Sequence, residues 1–435
     1  MPEDTAPNPP LCSTGDRDAA PFVAEPSVRL FAQTASAELA ALKPDEGVAA
    51  LLADAVAHGA SDLFFFSQRQ TVVAAVRRLG LIREVAAVPA DLGRRWLSAV
   101  KAQAGMDIAE RRRPLDGRFL VKLGEKRVDV RVNSIPTLFG EDLTLRLLDR
   151  ETGKRDLSEV GLGKGELDRL ASMIESPSGL ILVTGPTGSG KTTTLYACLS
   201  RLARGQRKIN TLEDPIEYEI AGVRQSQVNE RLGLDFPELL RNVLRQAPDI
   251  IMIGEVRDVK TAITAVRAAT SGHLVFATLH SPVAAGAVQS MLALGANRHF
   301  LASCLLGVVA QRLVRTLCPK CRVEIDMADS PHTFEEIEHL LPADKPRRIY
   351  APGGCDACYR DGYIGRTGVF EVLSVTSDVR QTISRGSPRE EIHRKAKEAG
   401  MIELTQSALF KVARGETSVE EILRSVPTEL LGLTE

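Results

Sequence analysis

Several kinds of sequence are missing from this 435-residue chain, and the absences exclude whole classes of protein. No apolar run approaches the roughly 18 to 20 residues that a transmembrane helix needs. The N-terminus, MPEDTAPNPPLCSTGDRDAAP, is acidic and proline-rich with no apolar centre, so it does not read as a secretory signal. Charge of one sign is not in excess: 55 basic residues face 56 acidic ones, a formal net charge of −1. That balance gives no support to specific nucleic-acid binding, which leaves a basic footprint. Cysteine is scarce at seven residues, four of them in two CxxC pairs. The chain is expected in the cytoplasm, where such pairs hold metal more often than disulfides. No internal repeat is present.

What is there is a chain long enough for two or three domains, with 44% hydrophobic and 26% charged residues. Residues 1–40, rich in Pro, Ala and Ser, read as a disordered or weakly ordered lead-in. Over residues 41–150, helical patterns (DEGVAALLADAVAHGASDL, DLGRRWLSAVKAQAGM) mix with strand-like alternation (TVVAAVRRLGLIREV, KRVDVRVNSIP, DLTLRLLD), which predicts a small α+β domain. Residues 151–163 are charged and glycine-rich and read as a linker. From 164 to 435 the short apolar runs GLILVTG, KINTLED, DIIMIGE and HLVFATLH alternate with helical segments. They predict an α/β domain whose parallel strands are joined by helical crossovers, followed by the CxxC pairs and a helical C-terminal region.

GPTGSGKT, residues 185–192, has the G-x-x-x-x-G-K-[ST] spacing and sits between an apolar strand and a helical segment. In a P-loop the glycines (Gly185, Gly188 and Gly190 here) let backbone N–H groups turn around a polyphosphate, and the helix aims its positive end there. Pro186, Thr187, Ser189 and Thr193 complete the predicted cradle. Lys191 would reach the β- and γ-phosphates, and the Thr192 hydroxyl would ligate Mg²⁺. A guanine-selective N-K-x-D pattern is absent, which favours ATP over GTP. PDIIMIGEVRD, residues 248–258, then raises a question. Many ATP-driven motors carry an aspartate before the catalytic glutamate, but Gly254 precedes Glu255 here.

TLEDPIE (211–217), LRQAPDIIMIGEVRD (244–258), SGHLVFATLH (271–280) and AQRLVRTLCPKC (310–321) follow the P-loop in that order. With GMDIAERRRPLDGRF and PTLFGEDLTLRLLD before it and GRTGVFEVL after it, the chain resembles the type II secretion and type IV pilus assembly ATPases from about residue 90 onward. The resemblance implies a RecA-like P-loop ATPase domain preceded by a small α+β domain. Gly-Glu is usual in that family's Walker B stretch, so Gly254 is no lesion. Glu255 would be the general base, its basicity raised by burial. Mg²⁺ would rely on Thr192, phosphates, waters and the acids Glu213, Asp214 and Glu217, Glu213 first among them. His273 and His280 would report on the γ-phosphate and signal to a neighbouring subunit. After His280 the family's Thr-Asn-Asp is replaced by Ser281-Pro282-Val283. Arg131 and Arg146 match arginines with which the family clamps phosphates; structural ion pairs are the competing reading. The family's SDLHIEP-like stretch reads SDLFFFSQ, with Phe64 in place of histidine.

Cys318-Pro-Lys-Cys321 and Cys355-Asp-Ala-Cys358 form two zinc-knuckle-like halves, and two such pairs complete a tetrahedral S₄ site within a subdomain at about 316–362. A single CxxC could instead be redox-active. TFEEIEHLL between the pairs reads as a helical insertion, and Cys12, Cys198 and Cys304 as ordinary small residues. The expected function is a cytoplasmic homohexameric motor, bound peripherally to the inner membrane through a platform or anchor protein. It would use ATP, Mg²⁺ and Zn²⁺ to drive pseudopilus or pilus assembly. A DNA-translocating ring and a non-hydrolysing scaffold are the alternatives. The first would need a basic, salt-sensitive face, and the second would need a damaged nucleotide site.

Overall fold

The computed structural model of the protein describes residues 22–23, 35–123, 126–149, 154–326, 337 and 348–427. The chain divides into two compact units, Met1–Arg150 and Glu151–Glu435.

The first unit holds β1 (Phe22–Val23), α1 (Ala35–Ala40), α2 (Pro44–Ala57), β2 (Ala60–Ser67), β3 (Thr71–Arg78), β4 (Leu81–Pro89), α3 (Ala90–Gln103), β5 (Leu115–Leu123), β6 (Lys126–Thr137) and β7 (Gly140–Asp149). Its sheet runs β1-β5-β6-β7-β2-β3-β4, antiparallel apart from β1, which joins β5 in parallel. Within the lead-in expected to be disordered or weakly ordered lie β1 and the helix α1. Pro44 at the first turn of α2, followed by Asp45 and Glu46, suits the positive end of a helix. Helix and sheet approach closely because glycine allows it. A Cβ on Gly93 of α3 would lie 2.3 Å from the Val72 side chain. The Phe64–Phe66 run follows strand alternation: Phe65 is fully buried edge-on against Trp96, centroids 6.0 Å apart. Phe64 and Phe66 stack on each other at 5.4 Å, with the Arg77 guanidinium over Phe64.

The second unit contains α4 (Lys164–Ile174), β8 (Gly179–Thr184), α5 (Lys191–Leu202), β9 (Ile209–Glu213), β10 (Val223–Gln227), α6 (Phe236–Val243), β11 (Ile250–Ile253), α7 (Val259–Thr270), β12 (Leu274–Leu279), α8 (Ala284–Ala293) and α9 (Arg298–Cys304). The long strand β13 (Leu305–Leu317), β14 (Val323–Asp326), β15 (Arg348–Ala351) and β16 (Tyr363–Ser374) follow. Helices α10 (Ser377–Arg385), α11 (Arg389–Glu398), α12 (Leu404–Ala413) and α13 (Val419–Ser425) end the described chain. The main sheet has the order β10-β9-β11-β12-β8-β13-β16; all neighbours are parallel except the β13–β16 pair. The strands β8, β9, β11 and β12 are buried along their whole length, as expected of parallel strands covered on both faces. One apolar cluster lies on each face. Leu157 and Val160, in the segment expected to be a linker, are buried in one of them. The TFEEIEHLL segment lies outside the described residues except for Ile337, which is buried.

Candidate active site

In a parallel sheet every strand points the same way, so the loops at the strands' C-terminal ends gather along one edge. Here that edge collects residues 185–190 after β8, residues 254–257 after β11 and His280 after β12. The cradle's glycines are in conformations that other residues rarely adopt: φ is +146° at Gly185, +77° at Gly188 and +87° at Gly190. Gly185 is also crowded, since a Cβ there would lie 2.4 Å from the Gln311 carbonyl oxygen. Pro186, Thr187 and Gly188 are exposed, Ser189 is buried, and Thr192 and Thr193 lie partly exposed in the first turn of α5. Lys191 folds back over the loop, donating to the carbonyls of Gly185 (2.9 Å) and Pro186 (3.2 Å). Gln311 on β13 supports the loop through Nε2 to the Ser189 carbonyl at 2.7 Å. The Ser189 hydroxyl and Gln311 Oε1 are both buried with no hydrogen-bond partner. Orphaned polar atoms inside a ring of turned glycines fit a site built around a polar ligand.

The glycine before Glu255 has a steric cause. Gly254 donates to the Leu212 carbonyl at 2.7 Å, and a Cβ at this position would stand 2.9 Å from that oxygen. No side chain fits between β11 and β9 there. Glu255 then emerges with one oxygen 2.7 Å from His280 Nε2 and the other 2.6 Å from Arg257 Nε. The expectation of a carboxylate made more basic by burial is corrected. Burial does push the Glu255 carboxyl up, but Arg257, His280 and Lys191 outweigh it and hold the group below the usual carboxylate range. Burial lowers the Lys191 ammonium against the opposing pull of Glu255.

Two other expectations change. Glu213 was the leading Mg²⁺ candidate, yet it is buried and its oxygens accept from Thr211 Oγ1 (2.6 Å), Gln225 Nε2 (3.1 Å) and the Tyr196 hydroxyl. It braces β9, β10 and α5, and the exposed acid of the same stretch is Asp214. His273 and His280 stand at opposite ends of β12, six residues long, which separates them by roughly 20 Å. His273 binds the end of α7 through Nδ1 to the Ala268 carbonyl (3.0 Å), and its own carbonyl accepts from Gly179 where β8 begins. It therefore lies away from the glycine loop, and of the two histidines His280 reaches Glu255. The proline-containing loop after His280 is fastened differently from a polar one: Ser281 N–H donates to Thr184 Oγ1 at 2.7 Å. Val283 offers no side-chain cap to α8, and Glu371 of β16 accepts from Ala284 N–H instead, at 2.8 Å.

The four paired cysteines form a second centre. Cys318 and Cys355 sulfurs lie 3.8 Å apart, Cys321 and Cys358 3.6 Å, Cys355 and Cys358 3.7 Å. A tetrahedron with metal–sulfur bonds of about 2.3 Å has edges of about 3.8 Å, so the cluster has the dimensions of an S₄ metal site. Gly353 permits it, since a Cβ there would overlap the Cys321 carbonyl. N–H groups of Cys355 and Gly362 point at the Cys358 sulfur, each at 3.3 Å. Burial raises that thiol, but these donors bring it down to about 7, toward the thiolate that binds metal. Cys198 and Cys304 are buried and isolated, and Cys12 lies outside the described residues.

In the first unit, Arg131 on β6 and Arg146 on β7 are directly paired, so their side chains share a face. The row extends beyond what alternation suggested, because Arg118 pairs with Arg131, Asp62 with Arg146, and Arg77 with Asp62. The sequence does not single out Arg77, Arg118, Arg257, Gln311 or Asp62. Arg257 and Gln311 lie inside the GEVRD and AQRL stretches already singled out, but the row depends on strand register.

A strand–glycine loop–helix unit with a carboxylate on the same sheet edge, together with a four-cysteine cluster, defines a P-loop nucleotide-binding protein that carries a cysteine knuckle. The type II/IV secretion system protein family matches residues 40–424, and the chain belongs to that family. It is 41% identical over 381 residues to the type II secretion system protein E of Dickeya dadantii, covering 87% of this chain and 75% of that one. Its identity to the type II secretion system ATPase E of Vibrio cholerae is 42% over 378 residues, 86% and 74% of the two chains. Among solved structures, the pilus retraction motor PilT with bound ADP aligns at 25% identity and a TM-score of 0.59, over 86% and 95% of the chains. The Legionella pneumophila ATPase DotB, at 21% identity, shares the fold, with a TM-score of 0.63 over 86% and 93%. No helix among the described residues is long and apolar enough to cross a membrane.

Proposed function

We infer that the protein is an ATP-hydrolysing motor that powers type II secretion pseudopilus or type IV pilus assembly. On this reading it works as a cytoplasmic homohexamer held at the inner membrane by a platform or anchor protein. The observation that carries it is the convergence of Lys191, Glu255 and His280 on one sheet edge beside a cradle of turned glycines.

The chain's own residues divide the work. Backbone N–H groups of residues 187–193 and the Lys191 ammonium bind the phosphates, and Glu255 accepts the proton of the attacking water. His280, bonded to Glu255, senses that proton and the γ-phosphate. Arg131 and Arg146 offer positive charge to phosphate oxygens. Mg²⁺ would neutralise phosphate charge, with Thr192 Oγ1 and the exposed Asp214 as the residues that fit it. Cys318, Cys321, Cys355 and Cys358 fit Zn²⁺, which would stabilise the knuckle and leave no position open for catalysis.

The test is Mg²⁺-dependent ATP hydrolysis by the wild type and by Glu255→Gln. A loss of about 10²- to 10⁴-fold in the variant, with nucleotide still bound, is the outcome expected for a general base. Equal turnover in both would remove Glu255 from that role, and nucleotide binding without turnover in either would favour a scaffold.

A further inference from the structure

Gln311 sits on β13 directly behind the glycine loop. Parallel pairing sets Ala310 beside Thr184, the last residue of β8, so the next residue of β13 lies where β8 opens into the loop. Gln311 is buried, with 2% of its surface exposed. Its main-chain oxygen stands 2.4 Å from where a Cβ of Gly185 would be, and its Nε2 stands 3.2 Å from where a Cβ of Gly190 would be. Both glycines therefore turn their bare side to this one residue. Nε2 also donates to the Ser189 carbonyl at 2.7 Å, and only the NH₂ end of the amide can face a carbonyl oxygen in this way. The Oε1 end is buried with no hydrogen-bond partner among the described residues. Packing does not explain such an amide, because an apolar side chain of the same length would fill the space without an unsatisfied oxygen. The position uses the donor end.

A trans peptide is planar, and its C=O points opposite to the N–H that follows. The Ser189–Gly190 peptide is trans. Holding the Ser189 oxygen from the β13 side therefore turns the Gly190 N–H away from β13. Gly190 is the residue that opens α5, where the loop's amides meet the positive end of the helix. We propose that Gln311 is a positioning residue for phosphate binding: its donated hydrogen bond fixes the Ser189–Gly190 peptide so that the Gly190 N–H faces the nucleotide's phosphates. The proposal rests on the reading of residues 185–192 as an ATP-binding loop. Glycine's freedom is what makes such a strut necessary. A peptide next to Gly190 can turn over at little cost, and turning over would replace a donor with a carbonyl oxygen facing the phosphates. Strut and ligand thus act on opposite sides of one peptide, and Gln311 never touches the nucleotide.

The test compares the wild type with Gln311→Met and Gln311→Glu in the full-length protein. It reads equilibrium binding of Mg·ATP and Mg·ADP, steady-state ATP hydrolysis and thermal unfolding. Gln311→Met keeps the length of the side chain and removes the donor. It is expected to weaken ATP and ADP alike by about 10- to 100-fold, the worth of one hydrogen bond to a charged group. The two nucleotides lose equally because the loop's amides hold phosphates that both carry. In turnover the loss is expected in KM, with kcat within about threefold, since the contact is made equally in ground state and transition state. Its Tm is expected within about 4 °C of wild type. Gln311→Glu sets a carboxylate against the Ser189 carbonyl and is expected to bind more weakly still. The proposal is overturned if either variant binds as tightly as wild type, if ATP alone is weakened, or if the loss falls on kcat at unchanged KM. It is also overturned if Gln311→Met is unfolded at the assay temperature, which would make Gln311 a packing residue. A wild type with no affinity for either nucleotide would instead overturn the reading of the loop.

Discussion

Single atoms decide several of the protein's features. The glycine before Glu255 is required by a carbonyl 2.9 Å from where its Cβ would be. Gly254→Ala is therefore expected to destabilise the protein by about 1–3 kcal/mol through overpacking, read as a lowered Tm, and an aspartate there would cost more. An unchanged Tm would mean that β9 and β11 can separate freely. Glu255 yields a pH prediction. Its folded carboxyl lies below the ordinary value of about 4.5, so it stays ionised, and able to accept a proton, as pH falls from 7 to 5. The acid limb of kcat assigned to Glu255 is thus expected only below the ordinary carboxylate range. Arg257→Gln, which removes the principal group opposing burial, should move that limb upward; a limb indifferent to Arg257 would contradict the sign.

At the scale of elements, one buried side chain joins three of them. Glu371 on β16 accepts from Ala284 N–H at the start of α8 (2.8 Å) and from Leu404 N–H at the start of α12 (3.3 Å). Burial raises its carboxyl against the pull of these donors. Glu371→Ala would leave two helix N–H groups unsatisfied in the interior, at about 1–3 kcal/mol each, and chemical denaturation should register the loss. A variant as stable as wild type would show that α8 and α12 find other caps. The knuckle makes a separate prediction. Metal analysis of the purified protein should find about one zinc per chain. Cys358→Ser should lower that content and the Tm together, since metal affinity is folding energy in such sites. Full zinc content in the variant would exclude the four-sulfur assignment.

At the scale of the whole molecule, the prediction concerns assembly. If each site is completed by a neighbour, turnover should rise more than proportionally with protein concentration; strict proportionality would argue for self-sufficient monomers. Strong stimulation by DNA, lost as salt rises, would mark a translocating ring. The sequence by itself determined what lies within one stretch of chain: the P-loop, Gly254-Glu255, the CxxC pairs, and the alternation of strands with helices. Those motifs are legible because their chemistry needs neighbouring residues at set spacings, and backbone geometry turns spacing directly into position. Tertiary structure decided what depends on partners far apart in sequence. It brought His280 against Glu255 and tied Glu213 to Tyr196. It aligned Asp62 with four arginines. The physical reason is register: residues some 15 to 85 positions apart become neighbours only when strands pair, and a one-residue slip would turn each to the other face.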